Sequence, residues 1–306
     1  MSKQKEHLLI IGGTGFIGFH LAVAAKKKGW KVTSISLRKP KKDRKVEGVN
    51  YFFLDISNFK KLKMKLKGKF TFVVNLSGYS SNKYKNSSDS CFKSHFLGTV
   101  NLTKILKKKK IKKFVHAGSS AEYGNIPGPQ GEDALCSPTN DYGKSKLLTT
   151  NYLQLIHKKE NFPVTILRFF SVYGPKQNKD RVIPQIIHGC LSGKRFGVSK
   201  GIQYRDFCFI EDIVIAIIKT LKTAKANGKI INIGSGKPTK IKNIVYKIKK
   251  IIGKGKPEFG KIRYSKNENM NVYAKVLNAK KILKWKINFS FKEGLNRTIE
   301  SHLKQV

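Results

Sequence analysis

Tyr142 and Lys146 stand four residues apart in NDYGKSK (140–146), and Ser119 lies upstream in AGSSAEYG (117–124). A phenol, an ammonium and a hydroxyl can together move one proton. The phenol acts as acid or base, the cation favours its phenolate, and the hydroxyl holds the reacting oxygen in line. Such a proton shift must accompany any hydride transfer between an alcohol carbon and a redox cofactor. A free Tyr titrates near pH 10, so an adjacent ammonium is expected to lower that value.

Spacing alone settles little. The chain holds 11 Tyr, and 55 of its 63 cationic residues are Lys. At that density about two Tyr-x-x-x-Lys matches arise by chance. Three occur: Tyr79/Lys83, Tyr142/Lys146 and Tyr246/Lys250. Only Tyr142/Lys146 opens a helix, announced by Pro138 and by Asn140 or Asp141, so the four-residue spacing puts both side chains on one face. It also follows serines at the C-terminal end of a strand, the edge where open parallel sheets bind ligands. Tyr79/Lys83 falls in a polar loop, and Tyr246/Lys250 in a surface-like KIKK helix.

The elements around the trio alternate. Apolar runs over 7–11, 31–36, 49–55, 70–76, 112–120 and 162–170 predict strands. Helical periodicity covers the stretches after the glycines at 12–18, about 91–109, and 140–159. Strand–helix alternation with crossover-length helices implies an α/β fold, a doubly wound parallel sheet of Rossmann type covered on both faces. Beyond about residue 175 the pattern changes to short helices and loops with one further strand over 229–234. The expected organisation is a dinucleotide-binding domain over 1–174, to which 203–235 return. A smaller substrate-binding lobe spans 175–202 and 236–306.

The glycine loop supports this. Gly12, Gly15 and Gly18 in IIGGTGFIGFHLA lie between the first strand and the first helix. Such glycines permit a tight turn and let backbone N–H groups approach a pyrophosphate at the positive end of the helix. The second strand ends Ser36-Leu37-Arg38-Lys39, with no carboxylate for a ribose 2′-OH. A hydroxyl and a guanidinium there suit a 2′-phosphate, which favours NADP, with NAD as the alternative. Asp55, at the end of the third strand, can accept from an adenine amino group.

Composition bounds the rest. A 40% hydrophobic content over 306 residues is globular. Cys91, Cys136, Cys190 and Cys208 lie far apart, with no metal-ligand spacing, and read as reduced thiols of a cytoplasmic protein. No metal is expected. The start, MSKQKEHLLIIGG, has an apolar run of only four residues, and nothing approaches the roughly 20 of a membrane span. The net charge of +45 is spread along the chain without a basic arm. It reads as a solvated surface that attracts anionic small molecules rather than as a nucleic-acid site. Where nearly every cation is Lys, each Arg marks a place needing a planar fork for phosphate or carboxylate. Arg38, Arg168, Arg205 and Arg263 therefore draw interest.

Taken together these motifs resemble the extended short-chain dehydrogenase/reductases, specifically the NAD(P)-dependent epimerase/dehydratases of nucleotide sugars. The resemblance runs over nearly the whole chain, through GGTGFIG, Asp55-Ile56, VVNLSG, GTVNL (98–102), GSSAEYG, YGKSK, LRFFSVYGP (167–175), YRDFCFIEDI (204–213), INIGSGKP (231–238) and the closing KILKW. It implies Ser119, Tyr142 and Lys146 as catalytic. Around the cofactor it implies Gly12, Gly15, Phe16, Ile17, Gly18, Asp55, Ile56, Leu76, Ser77, Gly78, Phe170, Tyr142 and Lys146, to which the strand-end reading adds Ser36 and Arg38. His95 stands where the family's cofactor-supporting Asn belongs. Arg205 and Arg263 match arginines that grip the nucleotide diphosphate, with Ser119, Ser120 and Ser171 completing the substrate side. Arg168 matches a structural strand-end Arg. The departures are Ile11 for a Thr, His95 and Ser171 for Asn, and Lys275 for an Asp. The acidic residue that dehydratases carry before the motif tyrosine is Ala121 here, with Glu122 one step off, so dehydration is disfavoured. The resulting expectation is a homodimeric, NADP-dependent reductase of a 4-keto (6-deoxy) nucleotide sugar. The alternative is an NAD-dependent nucleotide-sugar 4-epimerase. A 4,6-dehydratase and a non-catalytic RNA-binding member of the fold rank behind both.

Overall fold

The computed structural model describes residues 5–78 and 88–304. Seven strands form one parallel sheet: β1 (His7–Ile11), β2 (Lys31–Ser36), β3 (Val49–Phe53), β4 (Phe72–Asn75), β5 (Lys113–Ser119), β6 (Val164–Phe169) and, later in the chain, Ile230–Ile233. Its spatial order is Ile230–Ile233, β6, β5, β4, β1, β2, β3. The chain builds outward from β1 through β2 to β3, then crosses back to β4 and continues the other way. The reversal between β1 and β4 opens a crevice at the C-terminal strand ends, the ligand site of such sheets.

Strand alternation divides the core in two. Leu8 and Ile10 of β1 join a cluster on one face with Leu167 and Phe169 of β6, while Leu9 and Ile11 join the opposite cluster with Val164 and Ile166. Successive side chains of a strand point to opposite faces, so a strand covered on both sides must be apolar throughout. Helices α1 (Phe16–Lys27) and Ile210–Leu221 supply Leu21, Ala25, Ile213 and Ile217 to the first face. On the second face lie α2 (Phe59–Lys65), the composite helix over 88–106 and the helix Asp141–Glu160, contributing Leu62, Leu102, Ile105, Leu153 and Ile156.

The composite helix differs from the single one expected over 91–109. It runs as α3 (Ser88–Cys91), a π-helical turn Phe92–Leu97 and α4 (Gly98–Leu106). Lys107 caps its C-terminus and opens the run Lys107–Lys110 at the negative end of the helix, where cations are favoured. The long helix α5 (Asp141–Glu160) begins at Asn140, whose Oδ1 accepts from the Gly143 N–H at 2.9 Å.

Beyond β6 the chain holds more strand than the sequence suggested. Strands β7 (Ser171–Tyr173), β9 (Tyr204–Phe209), β11 (Pro238–Lys240) and β13 (Asn271–Val272) form a small second sheet, and β8 (Arg195–Val198) pairs with β12 (Lys256–Phe259). The seventh strand of the large sheet is then β10 (Ile230–Ile233). Of the segment 203–235, the part after β9 returns to the large sheet, whereas β9 itself joins the small one. Helices α6 (Val182–Leu191), α7 (Ile210–Leu221), α8 (Ile241–Ile252), α9 (Leu277–Leu283) and α10 (Phe291–Leu303) complete the chain. Among the described residues, no helix is long and apolar enough to cross a membrane, and no group of three or more His, Cys, Asp or Glu could hold a metal. None of the four cysteines is in a disulfide, and Cys91, Cys190 and Cys208 are buried.

Candidate active site

Two adjoining cavities, of about 520 and 460 Å³, open at the crevice beside β1 and β4. They share Gly12, Gly15, Leu76, Ser77, Gly78 and Asn178. The glycine loop is tightly built: a Cβ on Gly18 would lie 2.3 Å from the Gly12 carbonyl oxygen, so only glycine lets α1 start this close to β1. Helix α1 has no side-chain cap and no acidic residue in its first turn. Its orphan N–H groups therefore remain available to an anion. This cradle fits the pyrophosphate of a dinucleotide, with Phe16 and Ile17 lining the larger cavity beside it.

The smaller cavity collects Ser36, Arg38, Asp55 and Ile56 around the place where an adenosine would lie. Ser36 is buried, and its Oγ accepts from the Thr14 N–H at 3.2 Å while lying 3.3 Å from Ser34 Oγ. Its hydroxyl thus braces the glycine loop. Arg38 is exposed at the rim. Asp55 accepts from the Ser57 N–H at 2.8 Å, a turn contact that leaves its second oxygen free for a ligand. Asn101 ties this loop down by donating to the Ile56 and Ser57 carbonyls at 3.1 and 2.8 Å.

Ser119, Tyr142 and Lys146 converge on the larger cavity. Ser119 ends β5, and the other two occupy the first turns of α5. A Cβ on Gly143 would lie 2.5 Å from the Ala121 carbonyl oxygen, so this glycine lets α5 press against the turn that follows Ser119. Lys146 Nζ donates to the Ala117 carbonyl at 2.9 Å. Burial lowers its ammonium to about 8, with Glu122 pulling the other way. Tyr142 does not show the lowered value expected from the sequence. Burial raises it, and the Ser119 hydrogen bond and the Arg181 charge only partly oppose this. Desolvation outweighs the hydrogen bond and the neighbouring cation. Of the rival pairs, Tyr246 is half exposed on α8, where it packs on Phe259 at 5.4 Å, and Tyr79/Lys83 lies outside the described residues.

Glu122 is fully buried and faces away from the cavity. It accepts from the Ser119 N–H at 2.7 Å, from Thr150 Oγ1 at 2.9 Å and from Arg168 Nε at 2.8 Å. Arg168 in turn lies 4.6 Å over the Tyr123 ring. The structural reading of Arg168 agrees with this geometry. Ala121 lines the cavity at the position where a dehydratase would need an acid.

The larger cavity is also walled by Ser120, Phe170, Ser171 and Arg205. Arg205 donates to the carboxylate of Glu268 and, at 2.7 Å, to the Tyr204 carbonyl. Arg263 is not brought there; it is exposed and does not line the cavity. The segment after β12 turns Glu268 inward instead, and Ser265 Oγ secures that carboxylate at 2.6 Å. A second guanidinium at the wall, beside Arg205, is Arg181, at the N-terminus of α6, with Gln177, Asn178 and Gln203 nearby. Arg44 holds this loop from below, donating to Asn178 Oδ1 at 2.7 Å and to the Lys176 carbonyl. Sequence reasoning missed Arg44, Arg181 and Glu268; the argument from arginine scarcity had singled out Arg38, Arg168, Arg205 and Arg263.

A cleft with a glycine cradle on one side and a hydroxyl, phenol and ammonium on the other has the parts for dinucleotide-dependent redox chemistry on an alcohol. Comparison with known proteins agrees. The model of the "NAD dependent epimerase/dehydratase family" matches residues 8–234. A UDP-glucuronate 4-epimerase of Thermodesulfobacterium geofontis is 29% identical over 314 residues, covering 96% of this chain and 95% of that one. A UDP-N-acetyl-alpha-D-glucosaminuronate decarboxylase of Bacillus cytotoxicus is 31% identical over 317 residues, covering 97% and 98%. The structure of a UDP-glucuronic acid 4-epimerase from Bacillus cereus, in complex with UDP-glucuronic acid and NAD, superposes with a TM-score of 0.88 at 26% identity, covering 98% of this chain and all of that one. The chain belongs to the NAD dependent epimerase/dehydratase family. It is an oxidoreductase of the nucleotide-sugar epimerase/dehydratase type.

Proposed function

We propose that the protein is an NAD-dependent 4-epimerase of a UDP-sugar, the alternative rather than the leading expectation from sequence. The observation that carries this reading is likeness over essentially the whole chain, at 29% and 26% identity, to two epimerases of that class. The absence of an acid at Ala121 supports it against dehydration. Bound NAD would supply a reversible hydride acceptor on the glycine-loop side. Ser119 and Tyr142 then hold the sugar hydroxyl, and Tyr142 takes its proton as the carbon is oxidised. Lys146, fixed on Ala117 O, stabilises the phenolate. Inversion needs the resulting ketone to present its other face before Tyr142 returns the proton. Arg205 and Arg181 would anchor the diphosphate while the sugar turns. Reductase chemistry would instead consume a reduced cofactor with every turnover.

The test is incubation with UDP-glucose and UDP-glucuronate, without added cofactor, and analysis of products by NMR. Appearance of the C4 epimer, with NAD co-purifying, is the expected result. Turnover that requires stoichiometric NADPH would overturn the reading. Release of carbon dioxide from the uronate would move it to the decarboxylase chemistry named for the Bacillus cytotoxicus relative, because a ketone β to a carboxylate loses that group readily.

A further inference from the structure

His95 sits in the π-helical turn Phe92–Leu97, wholly buried, with its ring edge-on to Tyr142 at 5.3 Å between centroids and 83° between planes. Its Nδ1 lies 2.8 Å from Ser145 Oγ, and Ser145 Oγ lies 2.9 Å from the Tyr142 carbonyl oxygen. The protons in this chain are fixed by valence. A carbonyl only accepts, so the single hydroxyl proton of Ser145 belongs to Tyr142 O. His95 Nδ1 must then donate to Ser145 Oγ, which leaves Nε2 deprotonated. Among the described residues Nε2 is buried without a partner. Gly78 closes over it: a Cβ there would stand 2.0 Å from both Nε2 and Cδ2. Among the described residues no acceptor awaits a second proton, and burial together with the Lys146 charge holds the imidazole well below its usual range.

We propose that His95 is a positioning residue for Tyr142. As a neutral Nδ1–H imidazole, it braces both the ring and, through Ser145, the backbone of the tyrosine. The inference departs from the cofactor-supporting role expected at this position, because the ring's only donor is spent on Ser145. A π-turn is an unusual device, found often at functional sites. Here it brings the imidazole against the first turn of α5. The proposal rests on Tyr142 being the proton-transfer group.

The brace is read first without activity. In protein labelled with ¹⁵N-histidine, the signal lost in His95→Asn identifies the ring. It should report a neutral Nδ1–H tautomer that does not titrate across the neutral range. A proton on Nε2, or titration near the ordinary 6.5, overturns the proposal. The second arm is kinetic. His95→Leu and Ser145→Ala should each lower kcat about ten- to hundredfold, the effect of a sub-ångström to ångström misplacement of a reacting group. Substrate KM and retained cofactor should stay as in wild type. His95→Asn, whose amide can donate to Ser145 from the same side, should recover a large part of the loss. Unchanged kcat in Ser145→Ala, or loss of cofactor together with kcat in His95→Leu, also overturns it. Tyr142→Phe run alongside separates the two ideas: full turnover there would end the acid–base reading, while the tautomer would still decide whether the brace exists.

Discussion

Glu268 places its carboxylate on the guanidinium of Arg205 at the wall of the larger cavity. The chain has only 18 acidic residues against 63 basic ones, so an acid on a cavity arginine is a specific placement. Both partners are partly screened from water, at 18% and 27% side-chain exposure. A diphosphate approaching Arg205 must share the guanidinium with that carboxylate or displace it.

Replacing Arg205 by Lys keeps the charge and loses the fork, so KM for the nucleotide sugar should rise about tenfold with kcat little changed. Glu268→Gln should act oppositely on an anion that has no sugar or base. Inhibition by inorganic diphosphate should tighten up to about fivefold, the span of a pair worth up to roughly 1 kcal/mol. Unaltered inhibition in Glu268→Gln would mean that the pair does not compete with the anion. A normal KM in Arg205→Lys would remove Arg205 from the diphosphate site.

Tyr142→Phe should lower turnover by about 10²- to 10⁴-fold, the usual contribution of a positioned acid–base group. Retained dinucleotide, measured by absorbance after denaturation, should stay close to wild type, because the glycine cradle and the adenosine side of the cleft are left intact. Tyr246→Phe, out on the surface of α8, should leave turnover intact. Equal losses in the two variants would show that the Tyr-x-x-x-Lys spacing had been assigned to the wrong pair.

What the sequence disclosed follows from signal length. Strands buried on both faces read as apolar runs, and β1, β2 and β6 emerge within a residue or two of their expected bounds. The glycine loop and the Tyr142 helix carry local punctuation in Gly12, Gly15, Gly18 and Asn140, and all four line the larger cavity. The second sheet did not, because strands such as Pro238–Lys240 and Asn271–Val272 are too short to show a period. Rarity of arginine marked guanidinium sites without saying which wall each would reach. Arg205 arrives because it lies on β9, whereas two turns of loop decide that Glu268, and not Arg263, faces inward. The lowered tyrosine value failed for a different reason: burial is a tertiary property, absent from any local spacing.

Lys113 offers a pH test away from the chemistry. It is buried in β5, donating to the Thr223 carbonyl at 2.9 Å, to Thr165 Oγ1 at 3.4 Å and to Asn227 Oδ1. Burial lowers its ammonium from 10.5 to about 8. Between those values the unfolded chain binds more protons than the folded one, so stability rises with pH across that window. The cost of the buried charge is fully present below about 8 and gone above 10.5. Lys113→Met should remove a rise of about 3 kcal/mol, given 1.36 kcal/mol per pKa unit. Urea midpoints of both proteins at the two ends of the window check this. The remaining lysines relax equally in both, so identical slopes would mean that Lys113 reaches water.

Cofactor choice turns on two residues at the end of β2. Ser36 stands where a ribose-binding carboxylate would favour NAD, but its hydroxyl accepts from Thr14 N–H and lies against Ser34, so it braces the loop more than it reads a ribose. Discrimination for a 2′-phosphate then falls to Arg38, which is exposed. An exposed ion pair contributes about 0–1 kcal/mol, which is at most a roughly fivefold preference for NADP. A buried, charge-assisted contact would give far more. The neighbouring lysines attract both dinucleotides and add no selectivity. Purified protein should therefore carry NAD, and the ratio of dissociation constants for NADPH and NADH should lie within about fivefold of one. Arg38→Leu should weaken NADPH by no more than that factor and leave NADH untouched. Ser36→Ala should weaken both alike, because it loosens the pyrophosphate cradle that they share. A preference for NADPH of a hundredfold, abolished by Arg38→Leu, would show that Arg38 closes over the phosphate on binding and would return the lead to an NADP-dependent reductase.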